Sequence, residues 1–433
     1  MKQVNLLRRV CVAMVMMVCV VYVAQAHDFE VDGIYYNITS ETNKTVEVTY
    51  KGESYSTIIE YSGDIVVPEN VSYNDTLYSV VSIGNHAFYN CGDMTSIAIP
   101  NSVTSIGKSA FYNCSSLVSI TIPNLVTSIG ESAFRHCSGL TSIEFNAENC
   151  AAVSNYVFDG CKALSSVIFG DKVKNIPNYV FYGCSSLTNV TIPNSVASIG
   201  GSAFMECSGL TSIVIPNSVT SIGVRAFEDC TSLVSVEYNA ENCTTMGSLT
   251  YHVFEGCTAL SSVVIGDKVK NIPDYAFYKC SGLTSVTIGN SVESIGAYAF
   301  YDCSGLTSLV FPSTVASIGK YAFRGCTGLT SITSKRRTPP VCGIYAFKDV
   351  DVNIPLIVPQ ESVSLYMTAS EWKYFLNIQG QDMSGVEDTF TDNGEVLMEV
   401  ARYDANGRSI SAPVKGVNIV RYSNGTVKKV LVK

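Results

Sequence analysis

The sequence is poor in the side chains on which most enzymes and nucleic-acid-binding proteins depend. Only 15% of its 433 residues are charged, it contains four histidines and one tryptophan, and its formal net charge is −9. It has no nucleophile-elbow, zinc-protease or phosphate-loop motif, which argues against hydrolases and nucleotide enzymes. Its excess of negative charge argues against nucleic acid as a partner. We therefore expect no enzymatic activity and no cofactor.

Long apolar runs are also lacking, with one exception at the start. Three basic residues precede an apolar run at residues 10–23, and Ala-Gln-Ala follows at residues 24–26. This order is typical of a secretory signal peptide and its cleavage site, and the run is short for a membrane span. Residues 1–26 are therefore predicted to be a signal peptide, and the mature chain to have no transmembrane segment.

What the chain has in abundance is repetition. A phenylalanine recurs every 23 or 24 residues, with a single interval of 27, at Phe88, Phe111, Phe134, Phe158, Phe181, Phe204, Phe227, Phe254, Phe277, Phe300, Phe323 and Phe347. A period in this range is typical of a solenoid. One unit is too short to enclose a core, so consecutive units must stack on each other.

The unit at residues 110–130 shows how one coil is built. A cysteine and a leucine follow Phe111 at intervals of three residues, and Ile120 and Ile122 then alternate with polar residues as in a strand. A proline ends this strand, since it cannot donate to a ladder. The pattern predicts a long strand, a turn, a short second strand and a helical or irregular arc that carries the phenylalanine. The phenylalanine, leucine and isoleucines should point inward.

Over roughly residues 61–350 the pattern A-F-x-x-C-x-x-L-T-S-I-x-I-P-x-S-V-x-S-I-G resembles the BspA-type (treponemal-type) leucine-rich repeat. The resemblance implies a curved right-handed solenoid with a parallel β-sheet, carried by secreted or cell-surface proteins that are commonly adhesins. It implies host extracellular-matrix or cell-surface proteins, or other bacterial surfaces, as partners. It does not imply one ligand, and a glycan-binding protein or a purely structural surface-layer component remain alternatives.

Both ends of the repeats differ from the coils. Residues 27–60 alternate apolar and polar side chains around a polar turn, which predicts a β-hairpin cap over the first open coil. Leu356–Pro359 is predicted to be the last strand. Residues 351–383 contain the only tryptophan, Trp372, and are predicted to form a helical cap at the other end.

Residues 384–433 have three strand-like runs separated by Asn/Gly turns, which predicts a small separate β-domain. The runs resemble the C-terminal sorting domain of the bacterial type IX secretion system at Gly-Val-Glu 385–387, Asp-Ala-Asn-Gly-Arg 404–408, residues 415–420 and residues 428–433. Asn418 departs slightly from that pattern. The resemblance implies the type IX machinery as a partner, removal of this domain, and retention of the remainder at the bacterial cell surface.

Sixteen cysteines in an exported chain first indicate disulfides, but eleven of them occupy one column of the repeat. Stacked side chains point in parallel, whereas a disulfide needs them to converge. We therefore expect a ladder of buried free thiols. Zinc is not expected, because no CxxC pair occurs and the histidines lie in different units.

The best candidate for a ligand-binding surface is a set of tyrosines that flank the phenylalanines of the last units. Four stand two residues before the phenylalanine and two stand one residue after it: Tyr275, Tyr298, Tyr321, Tyr345, Tyr278 and Tyr301. If the arc is helical, positions three apart share a face. Tyrosine is enriched at binding hot spots, so these six side chains are predicted to line one ligand-binding stripe. The alternative is that the rings only stack on one another and stiffen the solenoid.

Overall fold

The computed structural model describes residues 27–51, 61–150, 152–248, 250–383, 399–404, 408, 410, 415–422 and 427–432. The predicted signal peptide lies outside the described residues. Two compact units make up the chain, Met1–Ala163 and Leu164–Lys433. No helix in the described part of the chain is long and apolar enough to cross a membrane.

The first unit begins with the predicted hairpin cap. Antiparallel strands Phe29–Val31, Ile34–Ser40 and Thr45–Thr49 form it. The last of them pairs in parallel with strand Thr76–Ile83, so the cap continues directly into the sheet of the coils. The hydroxyl of Tyr61 donates to the Thr49 carbonyl at 2.9 Å, and its ring lies 4.7 Å from that of Phe88. Tyr61 therefore links the hairpin to the first phenylalanine of the ladder.

One element of this unit was not predicted. Strands Asn70–Tyr73 and Thr76–Ile83 form a second antiparallel hairpin ahead of the first phenylalanine of the repeat. The two residues between them, Asn74 and Asp75, have φ of 47° and 59°. Positive φ at both central positions is the requirement of a tight turn whose twist matches its strands, and Asn and Asp tolerate it.

The coils of the first unit each contribute one long and one short strand, and both kinds stack in parallel. The long strands are Gly63–Val66, Met94–Ala98, Ser119–Ile122 and Ser142–Phe145, and the short strands are Ser105–Ile106, Ser128–Ile129 and Ala152–Val153. Register is exact by position in the repeat, with Ile120 beside Ile143 and Ile106 beside Ile129. Equivalent residues therefore stack in columns.

The second unit repeats this arrangement. Its long strands are Ser166–Phe169, Asn189–Val190, Ser212–Ile215, Ser235–Tyr238, Ser262–Ile265, Ser285–Thr287, Ser308–Phe311, Ser331–Ser334, Leu356–Pro359 and Ile378–Gln381. Its short strands are Asn175–Ile176, Ser198–Ile199, Ser221–Ile222, Thr245–Met246, Asn271–Ile272, Ser294–Ile295, Ser317–Ile318 and Val341–Cys342. All the pairings among them are parallel. The predicted parallel-stranded β-solenoid is confirmed.

The arcs between the strands are not helical. Each is a series of turns, as shown by the Tyr112 amide donating to the Ser109 carbonyl at 3.2 Å and the Cys114 amide to the Phe111 carbonyl at 3.3 Å. Alternate amides instead donate to the next coil, for example Phe111 to the Ala133 carbonyl at 2.7 Å. The arcs are thus tied coil to coil by their backbones, which leaves their side chains in columns as well.

The core is a ladder of phenylalanine rings. Ring centroids of successive coils lie 4.8–5.0 Å apart in the first unit and 5.2–5.6 Å apart in the second. Phe111, Leu117, Ile120 and Ile122 are all buried, as predicted.

The column cysteines are free and buried. Most donate their thiol to the carbonyl of the phenylalanine one coil earlier, as Cys114 does to Phe88 at 3.1 Å. Because the thiols are paired with backbone carbonyls, the column is a set of hydrogen-bond donors as well as a set of small apolar groups.

The C-terminal end of the coils differs from its prediction. The helical part is limited to one short α-helix, α1 (Val363–Thr368), with 3-10 turns Gln360–Ser362 and Trp372–Tyr374. Leu356–Pro359 is a strand but not the last one, because Ile378–Gln381 pairs with it in parallel. Trp372 is fully buried and donates its indole N–H to the Pro340 carbonyl at 2.8 Å. The cap is therefore a closing coil rather than a helical lid.

The predicted C-terminal β-domain has three antiparallel strands, Glu399–Tyr403, Gly416–Tyr422 and Val427–Val432. The Arg402 guanidinium donates to the side-chain oxygen of Asn418 at 3.3 Å. These three strands match the three strand-like runs recognised in the sequence.

Candidate functional site

The six tyrosines come together on one surface of the second unit, which we call the tyrosine strip. The four rings that precede the phenylalanines stack with centroid separations of 5.1, 5.0 and 5.5 Å from Tyr275 to Tyr345. The rings of Tyr278 and Tyr301 stack at 4.9 Å. Within one coil the two columns also meet, since the rings of Tyr275 and Tyr278 lie 6.1 Å apart.

The reason why the two columns meet is not the one that the sequence indicated. The arc has no helix, but the residue two before each phenylalanine adopts a left-handed backbone. Tyr275, Tyr298, Tyr321 and Tyr345 have φ between 57° and 60°. This conformation reverses the chain and turns the ring toward the residue that follows the phenylalanine.

A bulky residue with positive φ is strained. The same conformation recurs at this position in most other coils, with small side chains such as Ser109 and Ser202 and with large ones such as Tyr179 and Arg225. Residues held in such conformations cost on the order of 1–3 kcal/mol each and concentrate at functional sites. Ring stacking offsets part of this cost. The first feature that marks this surface is therefore the run of four stacked tyrosines in successive coils, and not the backbone conformation, which recurs through the repeat.

The second feature is that the hydroxyls are unused. Among the described residues, none of the six phenolic oxygens has a hydrogen-bond partner within the protein, whereas the hydroxyl of buried Tyr366 donates to the Arg336 carbonyl at 2.8 Å. The rings are half-buried and only Tyr345 is exposed. Burial raises the pKa of Tyr275 and of Tyr278, so both phenols stay neutral and able to donate.

The third feature is a row of cations above the rings. Lys279 Nζ lies 5.4 Å from the centroid of Tyr278, Lys320 Nζ 5.6 Å from that of Tyr298, and Lys348 Nζ 5.2 Å from that of Tyr345. The Arg324 guanidinium lies 5.5 Å from Tyr301 and 5.6 Å from Tyr321. These distances allow cation–π attraction.

Only one of these cations is paired with an acid. Arg324 Nε lies 3.1 Å from Asp349 Oδ2. For the three lysines, the described residues place no carboxylate within ion-pair distance, and all three side chains are exposed. Their charge is therefore available to a ligand, in a chain whose net charge is negative.

The strip ends at the coil that contains Phe254. His252 is buried, its ring stacks on Tyr278 at 3.9 Å, and its Nδ1 lies 3.0 Å from Glu255 Oε2. His252 precedes Phe254 by two residues and so occupies the same position as the tyrosines. The offset from Phe254 shows this equivalence in the sequence, but only the structure shows that the histidine ring stacks on Tyr278.

The coil before it carries an ion pair in the same two positions. Arg225 Nε lies 3.1 Å from Glu228 Oε2, and burial raises the pKa of Glu228. The two tyrosine positions are therefore occupied by ion-pair partners in the two coils before Tyr275, which limits the strip to the four coils from Tyr275 to Tyr345.

A second surface of the same unit contains a groove of about 520 Å³. It lies where the long strand Asn189–Val190 pairs with its neighbour through Asn189 alone. Its lining includes Asn217, Asn239, Glu241 and Lys268. It is a shallow groove with mixed charges, and none of the six tyrosines lines it.

The comparisons with known proteins bear on the whole solenoid. The sequence profile of the BspA type leucine rich repeat region, in six copies, matches residues 81–210, 151–252, 174–303 and 247–364, together about two thirds of the chain. The chain belongs to the BspA-type leucine-rich repeat family. No match was found among curated proteins.

Solved structures of other leucine-rich repeat proteins resemble this BspA-type chain. One from Bacteroides ovatus is 30% identical, with coverage of 82% of this chain and 100% of the other and a TM-score of 0.48. A leucine rich cell surface protein from Faecalibacterium prausnitzii is 26% identical over 82% and 95%, with a TM-score of 0.40. The pneumococcal vaccine antigen PcpA is 17% identical over 82% and 98%, with a TM-score of 0.36.

Proposed function

We propose that this BspA-type protein is a non-enzymatic adhesin of a bacterial cell surface, which holds a macromolecule of another surface along the tyrosine strip. The single observation that carries the proposal is the strip itself: six stacked tyrosines with unpaired hydroxyls and neighbouring unpaired lysines. Half-buried tyrosines supply apolar area and hydrogen-bonding groups at low entropic cost.

The family supports a role in protein interaction, since leucine-rich repeat proteins bind other proteins. A stacked solenoid also presents an extended surface rather than a deep pocket, which suits large ligands. Host matrix or cell-surface proteins and other bacterial surfaces are therefore the expected partners. Export is proposed to follow the signal peptide at residues 1–26 and the type IX-like domain at residues 384–433.

The test is retention of ligand by a triple variant, Tyr298→Ser, Tyr301→Ser and Tyr321→Ser, compared with the unaltered chain. Purified protein would be tested for saturable binding to immobilised fibronectin and to mucin. We expect the triple variant to lose binding. The matched control is Tyr89→Ser with Tyr112→Ser, which removes another stacked pair, 5.0 Å apart, in the first unit.

The melting temperature distinguishes the two roles of the rings. Lost retention with an unchanged melting temperature supports a binding surface, whereas unchanged retention with a lowered melting temperature assigns the rings to stacking alone. A purely structural surface-layer protein would show no saturable ligand in any form of the experiment.

A further inference from the structure

The tyrosine strip has a repeat distance, and that distance restricts what can lie along it. Stacked rings recur at 4.9–5.5 Å from coil to coil, with interplanar angles of 9–35°. Rings so nearly parallel in one column carry their hydroxyls at the same interval. The strip therefore presents one hydroxyl per coil in one column and, in two coils, a second beside it.

A polypeptide does not match this interval. An extended strand rises about 3.3 Å per residue, and side chains on one face recur every two residues, so that neither spacing equals that of the coils. An extended polysaccharide does match it, because one pyranose unit is about as long as the rise between two coils. Each sugar would then contact the tyrosine of one coil, and the next sugar would contact the equivalent tyrosine of the next coil.

The charges indicate which kind of polysaccharide would bind. Lys279, Lys320 and Lys348 flank the rings of Tyr278, Tyr298 and Tyr345 and have no ion-pair partner among the described residues. Neutral phenols donate hydrogen bonds to carboxylate or sulfate oxygens, and lysines attract the same groups. The strip ends where His252 and Arg225 take the place of the tyrosines and pair with Glu255 and Glu228.

We propose that the tyrosine strip binds an acidic polysaccharide in extended form along the stack of coils, with one sugar per coil from Tyr275 to Tyr345. The proposal rests on the adhesin function proposed above and names the part of the ligand that makes contact. Such chains occur on glycosylated proteins of a host matrix and in bacterial polysaccharide layers, which share the repeating carboxylate or sulfate group.

The test measures binding of the full chain to polymers that separate charge from spacing. Hyaluronan and chondroitin sulfate represent the matrix source, alginate represents a bacterial polyuronate, dextran is the neutral control, and poly-L-glutamate is the acidic peptide control at equal carboxylate concentration. We expect the acidic polysaccharides to bind at least about tenfold more tightly than dextran or poly-L-glutamate, with affinity that falls as salt is added. Which of them binds best identifies the source.

Length gives a sharper measurement. Oligouronates of two, four, six and eight sugars should gain affinity up to about four and then level off, since the strip spans four coils. A continued rise in affinity per molecule beyond six sugars would contradict the limits assigned to the strip.

The charge variant is Lys279→Gln with Lys320→Gln and Lys348→Gln, which should weaken alginate binding at least about tenfold at low salt and flatten its salt dependence. The matched control, Lys174→Gln with Lys268→Gln and Lys270→Gln, removes the same charge from exposed positions of the same unit elsewhere and should bind normally. Because all six lysines are exposed and no ion pair between them and a described acid is observed, both variants should fold, which circular dichroism checks.

The proposal is overturned if poly-L-glutamate binds as tightly as alginate, or if the two lysine variants bind equally. If acidic polysaccharides fail to bind while the tyrosine triple variant loses binding to fibronectin or mucin, this inference is wrong and the adhesin function stands. If acidic polysaccharides fail to bind and the triple variant keeps its binding to fibronectin and mucin, both proposals are wrong.

Discussion

The phenylalanine ladder yields the most direct test of how the solenoid is held together. Phe204 is fully buried and lies between Phe181 at 5.6 Å and Phe227 at 5.2 Å. Replacing it with alanine, Phe204→Ala, removes a ring that contacts coils on both sides. Since each coil is stabilised mainly by its neighbours, one substitution weakens two interfaces at once.

The expected loss follows from the burial and the two stacking contacts. Phenylalanine-to-alanine changes in packed cores cost about 3–5 kcal/mol, and the rigid backbone ties between arcs leave little room for the cavity to collapse. We therefore expect the free energy of unfolding to fall by about 3–5 kcal/mol, at the upper end of that range if each ring pair adds to simple burial.

Urea unfolding followed by circular dichroism measures this loss through the transition midpoint and slope. The matched control is Met205→Ala in the same arc, where the neighbouring side chain is half exposed and the loss should be about 1 kcal/mol or less. A loss for Phe204→Ala well under about 2 kcal/mol, or one no larger than that of the control, would refute the inward ladder as the source of stability.

Three further outcomes are expected. Trp372→Ala should cost about 3–5 kcal/mol and expose the amides of Leu356, Ile357 and Val358 to hydrogen exchange first. Trp372→Phe, which loses mainly the hydrogen bond to Pro340, should cost about 1 kcal/mol, and equal losses would contradict the closing-coil role. Burial raises the pKa of the Cys326 and Cys150 thiols from 9.0 to about 12, so the unfolded state releases these protons at a lower pH than the folded state does. The stability that the neutral thiols contribute is complete below pH 9 and should fall between about pH 9 and 12. A urea midpoint that stays constant over that window would count against buried thiols. Deleting residues 385–433 should leave the coils folded but hold the protein in the periplasm of a type IX-competent host, and continued surface display would exclude the sorting role.

Much of the fold could be predicted because the repeat fixes both position and direction. A parallel register places Ile120 beside Ile143, so any side chain that recurs with the period of the coil must form a column. Apolar residues in such a column bury one another, and this is why the inward phenylalanines and the ladder of thiols can be predicted from the sequence. The cap hairpin could be predicted from its alternation, and the three C-terminal strands from strand-like runs separated by turn residues.

What the sequence could not decide depends on backbone torsions and on contacts that have no period. The strip depends on φ near 60° at positions such as Tyr298, and because this conformation occurs there with serine, arginine or tyrosine alike, the residue type gives no sign of it. The closing strand Ile378–Gln381 and the hairpin at Asn74 occur once each, so the repeat pattern does not predict them. The period thus determined which residues form columns, whereas only the tertiary structure decided which columns meet, because that depends on the direction in which each turn leaves the coil.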